Sequence, residues 1–183
     1  LCEIVGKIIN NLGKCGNFYF IFDINYLKMV GLTSTYECKV DAKGRVLLPT
    51  KLKNLLLAEI AKGFTLKRGL FSKCLELWPK SEWDKQLEEI DKLNRFSREN
   101  VEFIRKFMAG SKPLELDGAG RLLIPKDLIA YAGITKQIVM GSLIDRIEIW
   151  DKDMWEHELT KGADPGDLAE KVMGNIHKPQ TEL

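Results

Sequence analysis

The sequence predicts an α+β fold made of two tandem, pseudo-symmetric units in one chain, and three observations carry that prediction. Glu37 to Leu52, ECKVDAKGRVLLPTKL, returns as Pro113 to Leu128, PLELDGAGRLLIPKDL; the shift of 76 residues sets Asp41 on Asp117, Gly44 on Gly120 and Arg45 on Arg121. Cys74 to Trp83, CLELWPKSEW, returns as Arg146 to Trp155, RIEIWDKDMW, shifted by 72, so that Glu76 falls on Glu148 and Trp78 on Trp150. Between the copies, Glu82 to Ser111 carries apolar residues at helical spacing. A duplication of this length decides the fold before any local propensity does.

Each copy opens as strand, turn, strand, helix. Tyr36, Cys38 and Val40 alternate with Glu37 and Lys39, the pattern of a half-buried strand, and Asp41 to Gly44 has the residue types of a tight turn. Gly44 and Gly120 supply positive φ at little steric cost, and Asp41 and Asp117 shape the turns. Val46, Leu47 and Leu48 form a short apolar strand, which Pro49 ends while offering a pre-set φ to a helix through Leu52, Leu55 and Leu56. A second hairpin follows in each copy, Phe64 to Lys67 with Leu75 to Trp78, and Ile138 to Gly141 with Ile147 to Trp150. The fall in the shift from 76 to 72 puts four extra residues in the first copy, expected near Leu56 to Gly63.

The chain divides accordingly into a first repeat over 29–83, a helical linker over 84–112, a second repeat over 113–160 and a C-terminal helix and tail over 161–183. Residues 1–28 fit neither repeat, contain no compact apolar core followed by a small-residue cleavage site, and read as an over-long reading frame with Met29 as the native start. No stretch is long and apolar enough for a membrane helix. In the linker, Leu87, Ile90 and Leu93 make one stripe and Val101, Ile104 and Met108 another, with Ser97 placed to cap the second helix. Its mixed charges read as a solvated face. After Trp155 a short helix is expected to about Thr160, then a break at Gly162 to Gly166, then an amphipathic helix from Leu168 to Ile176.

Charge is informative locally rather than in total, since 28 Lys and Arg against 26 Asp and Glu leave only +2. Lys43, Arg45, Lys51 and Lys53 form a compact basic patch free of acidic residues, whereas the second copy has Ala119 and Asp127 at the places of Lys43 and Lys51, keeping Arg121 and Lys126. If both turns face one ligand, the first is expected to supply more of the attraction. Cysteines 2, 15, 38 and 74 form no C-x-x-C pair and read as reduced thiols. Two histidines are too few and too scattered for a metal site, and no cofactor is indicated. The turn Asp-Ala-Lys-Gly-Arg lacks P-loop spacing, and nothing pairs a nucleophile with a base, so an enzyme is not the reading. Trp78, Trp83, Trp150 and Trp155 suit core packing. Glu76 and Glu148 can face solvent, pair with a neighbouring unit or bond to a backbone amide.

The tandem D-x-x-G-R-[VL]-L-[LI]-P elements, each followed by an E-[LI]-W strand and a second Trp, resemble the MraZ family of bacterial transcriptional regulators over roughly Met29 to Thr160. The resemblance implies a double AbrB-like swapped-hairpin β-barrel, an intramolecular pseudo-dimer with flanking helices. It also implies ring-shaped homo-oligomers, a cytoplasmic, nucleoid-associated protein, and sequence-specific binding to direct repeats in double-stranded DNA upstream of the division and cell-wall gene cluster. The family's D-x-x-x-R motif falls on Asp41 with Arg45 and on Asp117 with Arg121, which assigns the two arginines to DNA. Lys43 joins Arg45 as a phosphate contact. Ala119 and the loosely matching Val30 to Thr35 depart from the family pattern. Two alternatives stay open: an Asp–Arg pair that only fixes each turn, and a ring-forming scaffold or non-specific nucleoid protein.

Overall fold

A computed structural model describes residues 34–174. The expectations for residues 1–28 and for the end of the tail lie outside the described residues. In the first repeat the chain forms strands β1 (Thr35–Lys39) and β2 (Arg45–Leu47), short helices α1 (Thr50–Leu55) and α2 (Leu57–Ile60), then hairpin strands β3 (Phe64–Arg68) and β4 (Leu75–Pro79). Helices α3 (Lys80–Asp91) and α4 (Arg98–Met108) follow. The second repeat supplies β5 (Lys112–Leu114), β6 (Arg121–Leu123), α5 (Lys126–Ala132), β7 (Gln137–Leu143), β8 (Arg146–Asp151) and α6 (Lys152–Thr160), and α7 (Pro165–Met173) ends the described chain.

The expected strand–turn–strand–helix units are present, but their opening strands pair across the repeats rather than within them. β1 runs antiparallel to β7, and β5 antiparallel to β3. β2 pairs with β6, while the first turn's own two arms are joined by the Val40–Val46 bridge and the Asp41 amide donating to the Arg45 carbonyl at 2.9 Å. One sheet therefore has the order β1-β7-β8-β4-β3-β5 and a second consists of β2-β6. Both cross-repeat pairings are centred on equivalent residues. Val46 faces Leu122 with Arg45 on Leu123 and Leu47 on Arg121, and Glu76 faces Glu148 with Leu75 on Ile149 and Leu77 on Ile147. That is the register of a two-fold axis relating the repeats.

The main core is shared by both repeats, with a smaller aromatic cluster of Trp78, Trp83 and Phe107 beside it. Val46, Leu52, Leu66, Leu75, Leu77, Leu122, Leu128, Ile138, Ile147 and Ile149 are all buried in one cluster drawn from both repeats. Each such side chain contributes about 1.5–3 kcal/mol on leaving water, so neither repeat keeps its core without the other. The helices cover the sheet through aromatics. Trp83 meets Trp78 edge-on at 6.0 Å and stacks on Phe107 of α4 at 5.6 Å, and Trp155 meets Trp150 edge-on at 5.8 Å. The tryptophans thus pack inward as expected. Phe107, which belongs to neither predicted stripe, is the buried residue of α4. Ser97 caps α4 as expected, its hydroxyl accepting from the Asn100 amide at 3.4 Å. Helix α7 starts three residues earlier than predicted because Asp164 caps it, accepting from the Gly166 amide at 2.8 Å.

One further point departs from expectation, and one alternative left open for Glu76 is resolved. The four extra residues of the first copy are split. Phe64 in β3 corresponds to Ile138 in β7, a shift of 74, so two lie before β3 and two in the Gly69–Cys74 turn, where the second copy needs only Ile144 and Asp145. Glu76 does not face solvent. It is buried, accepting from Lys67 Nζ at 2.8 Å and the Trp78 indole at 3.0 Å, with the Leu70 amide at 3.4 Å. Lys67 is buried with it and lies 4.5 Å from the Phe107 ring centre. Gly141 takes the place of Lys67 in the second copy, opposite Glu148, and the Trp155 ring comes within 3.0 Å of where a Cβ there would stand. Glu148 instead accepts from the Trp150 indole at 2.9 Å, and burial raises its pKa. Cys38 and Cys74 are free thiols, and burial, with the nearby Glu148 and Glu76 charges, pushes Cys74 up to about 12.

Removing Lys67 leaves the buried Glu76 carboxylate with only the more distant Arg146 Nε, at 4.0 Å, as a cationic neighbour. Lys67→Met is therefore expected to lower the unfolding free energy by about 3–5 kcal/mol in urea titration. Adding Glu76→Gln should restore part of that loss, and additive losses would contradict the coupling.

Candidate nucleic-acid interface

Each turn between the opening strands is organised by its aspartate. Asp41 Oδ1 accepts from the backbone amides of Lys43 at 2.8 Å and Arg45 at 2.9 Å, while Oδ2 accepts from Arg45 Nε at 2.7 Å and lies 2.6 Å from Nη2. Asp117 does the same for Ala119 (2.9 Å), the Arg121 amide (3.0 Å) and Arg121 Nε (2.7 Å). One carboxylate thus closes the turn and aims the guanidinium, so the turn-fixing pair and an oriented arginine are the same arrangement. The Arg45 side-chain hydrogen bond, with the backbone amides, holds Asp41 down to about 2. Asp117 is lowered for the same reasons, the Arg121 amide first.

The glycines lock each turn to the other repeat. Gly44 and Gly120 have φ of +82° and +76°. The Gly44 carbonyl accepts from the Ile124 amide at 2.8 Å, and the Gly120 carbonyl from the Leu48 amide at 3.1 Å. The β2–β6 ribbon then brings the two arginines onto one surface. Side chains alternate along each strand, with Val46 and Leu122 buried and Arg45, Leu47, Arg121 and Leu123 on the outer face. Arg45 and Arg121 occupy one diagonal of that face, with backbone separations on the order of 7–8 Å. Leu47 and Leu123 occupy the other. These leucines were hidden inside apparently continuous apolar runs, and strict alternation along the strand is the signal that separates them from Val46 and Leu48.

The swap changes which lysine stands beside the second turn. Lys53 is carried by α1 onto the second turn, where its Nζ lies 3.0 Å from the place a Gly120 Cβ would take; over Gly44 the equivalent space holds the Ile129 side chain. The first turn therefore has Arg45 with Lys43, and the second Arg121 with Lys53. Where Ala119 stands in place of a lysine, the other repeat brings Lys53 to the turn. Asp127, at the Lys51 position of the second copy, is drawn to Lys112 at 2.6 Å. Lys51 is exposed on α1. Among the described residues, no group of three or more His, Cys, Asp or Glu is placed to hold a metal ion.

The same contacts make the glycines unequal. A Cβ on Gly44 meets the Ile124 carbonyl oxygen at 2.8 Å, whereas one on Gly120 meets the movable end of Lys53. Gly120→Ala should cost about 1–2 kcal/mol from backbone strain alone, and Gly44→Ala distinctly more, as read from thermal or urea unfolding; the reverse order would contradict the packing at the turns.

Comparison with known proteins agrees with the duplication. The family described as MraZ protein matches residues 32–106 and again residues 107–166. A protein of Flavobacterium psychrophilum named transcriptional regulator MraZ is 51% identical over 147 residues, covering 80% of this chain and 94% of its own length. One of the same name from Christiangramia forsetii is 52% identical, covering 80% and 96%. A more distant one from Clostridium tetani is 35% identical, covering 75% and 93%. Two tandem profile matches on the two structural repeats, with relatives of this identity over nearly their whole length, establish that the chain belongs to the MraZ family.

Proposed function

We propose that this chain is a DNA-binding transcriptional regulator without catalytic activity. In this reading it engages direct repeats upstream of the division and cell-wall gene cluster, as a ring of copies at the nucleoid. The observation that carries the reading is the composite ribbon, with two carboxylate-oriented arginines on one diagonal and a lysine beside each turn. A duplex is the ligand such a surface fits. Arg Nε is held by the aspartate, which fixes the guanidinium plane and leaves the remaining N–H groups for phosphate or a guanine edge. The names of the relatives, transcriptional regulators all, support the same assignment.

Self-association is supported by two apolar faces without a described partner. Leu168, Val172 and Met173 stand exposed on α7, which buries none of its residues, and Leu87, Ile90, Val101, Ile104 and Met108 line a groove between α3 and α4. Asp167 and Glu170 on α7 complement Arg95, Arg98 and Arg105 beside that groove, which fits a second copy of the chain. Repetition of a weak site along repeated DNA then raises affinity by about 10²–10⁴ without new contacts.

Replacing both Arg45 and Arg121 with Ala should lower affinity for the duplex upstream of the protein's own gene by at least about 30-fold. The far-ultraviolet spectrum and the mass in solution should be unchanged. Undiminished binding by a well-folded double variant would move the interface to the α3–α4 pair.

A further inference from the structure

The outer face of the β2–β6 ribbon is not simply basic. Leu47 is 61% exposed and Leu123 53%, two large apolar side chains on the face that also carries Arg45 and Arg121, whose guanidinium groups pair with Asp41 and Asp117. Each leucine stands directly opposite the other repeat's arginine, so the face is a checkerboard of two cations and two apolar ends related by the pseudo-two-fold. A protein partner seated on the leucines would have to desolvate both exposed Asp–Arg pairs. A polyanion with apolar groups recessed between its phosphates would instead supply acceptors to the arginine N–H groups that the aspartates leave unused. Duplex DNA has this character in the major groove alone, where thymine presents its C5 methyl group and where a two-stranded ribbon is admitted; the minor groove offers no methyl.

We propose that Leu47 and Leu123 are specificity-determining residues that contact thymine methyl groups in the major groove while Arg45 and Arg121 hold the duplex. The assignment rests on the DNA-binding reading above and adds what that reading lacks, a means of telling base pairs apart on this surface. Because the leucines lie on opposite ends of one diagonal, the ribbon reads two thymines, one on each side of its local two-fold, and the two repeats contribute one apolar contact each. Both side chains project from a strand whose alternate residue is fully buried, so their positions are fixed by Val46 and Leu122 rather than by a mobile loop.

The test replaces each thymidine of the duplex upstream of the protein's own gene, one at a time, by deoxyuridine, which removes the methyl group alone, and measures competition by fluorescence anisotropy with the full chain. At the contacted positions the wild type should lose about fourfold in affinity per methyl, the ratio expected for burial of one such group. Leu47→Ala should lose the response at one set of positions and Leu123→Ala at another, while Leu47→Met and Leu123→Met keep it. Circular dichroism checks that each variant is folded, and the methionine variants keep the comparison valid should an alanine variant be destabilised. Binding that is indifferent to every deoxyuridine would overturn the methyl contact while leaving the regulator reading intact. Equal sensitivity in wild type and alanine variants would also overturn it. Loss of oligomer mass in the alanine variants without a change in methyl response would assign the leucines to self-association instead. Absence of any DNA binding by the wild type would remove both readings together.

Discussion

The pairing of β2 with β6 is the interaction on which the rest depends. Three residues from each repeat, centred on Val46 and Leu122, join the two copies at a point where both side chains are lost to solvent. The alternation that turns Val46 and Leu122 into the core is the same alternation that turns Arg45, Leu47, Arg121 and Leu123 out of it. Stability and presentation of the surface are therefore a single constraint. A one-residue slip in this register would bury the arginines and expose the core, which is why both turns are also fastened across the repeats through the Gly44 and Gly120 carbonyls.

The pseudo-symmetry is kept where the surface is made and relaxed elsewhere. At the ribbon the two Asp–Arg turns agree to within about a tenth of an ångström in their hydrogen bonds to arginine Nε and the backbone. At the other end of the two-fold, β4 meets β8 through Glu76 and Glu148, and there the copies diverge. The first repeat holds its glutamate with buried Lys67, the second has Gly141 and the Trp155 ring in that place. The divergence follows from the helices. α4 lies over the first repeat and presents Phe107 to Lys67 and Trp83, while Trp155 of the second repeat remains half-buried and no residue of α7 is buried.

Much of this was legible in the sequence, because duplication compares the chain with itself. Asp41, Gly44, Arg45 and their copies were found by repetition, and the hairpins by alternation and the E-[LI]-W echo. What the sequence could not give was which strand pairs with which. Lys53 illustrates the consequence: it lies eight residues from Arg45 and reads as part of the first basic patch, yet the swap delivers it to Gly120. Glu76 illustrates another limit, since a glutamate in an apolar strand has no visible partner until Lys67 is placed opposite it. Leu47 reads as one of three equivalent apolar residues, because an apolar run hides which of its members faces out.

The central claim is that a surface composed from both repeats binds duplex DNA through its cations. It is tested most directly by measuring anisotropy of the duplex upstream of the protein's own gene, against a scrambled duplex, across a salt series. The account predicts preference for the native duplex and a logarithmic affinity that falls against logarithmic salt with a slope near −0.9 for each phosphate neutralised. No binding at low salt, or binding indifferent to salt, would contradict it.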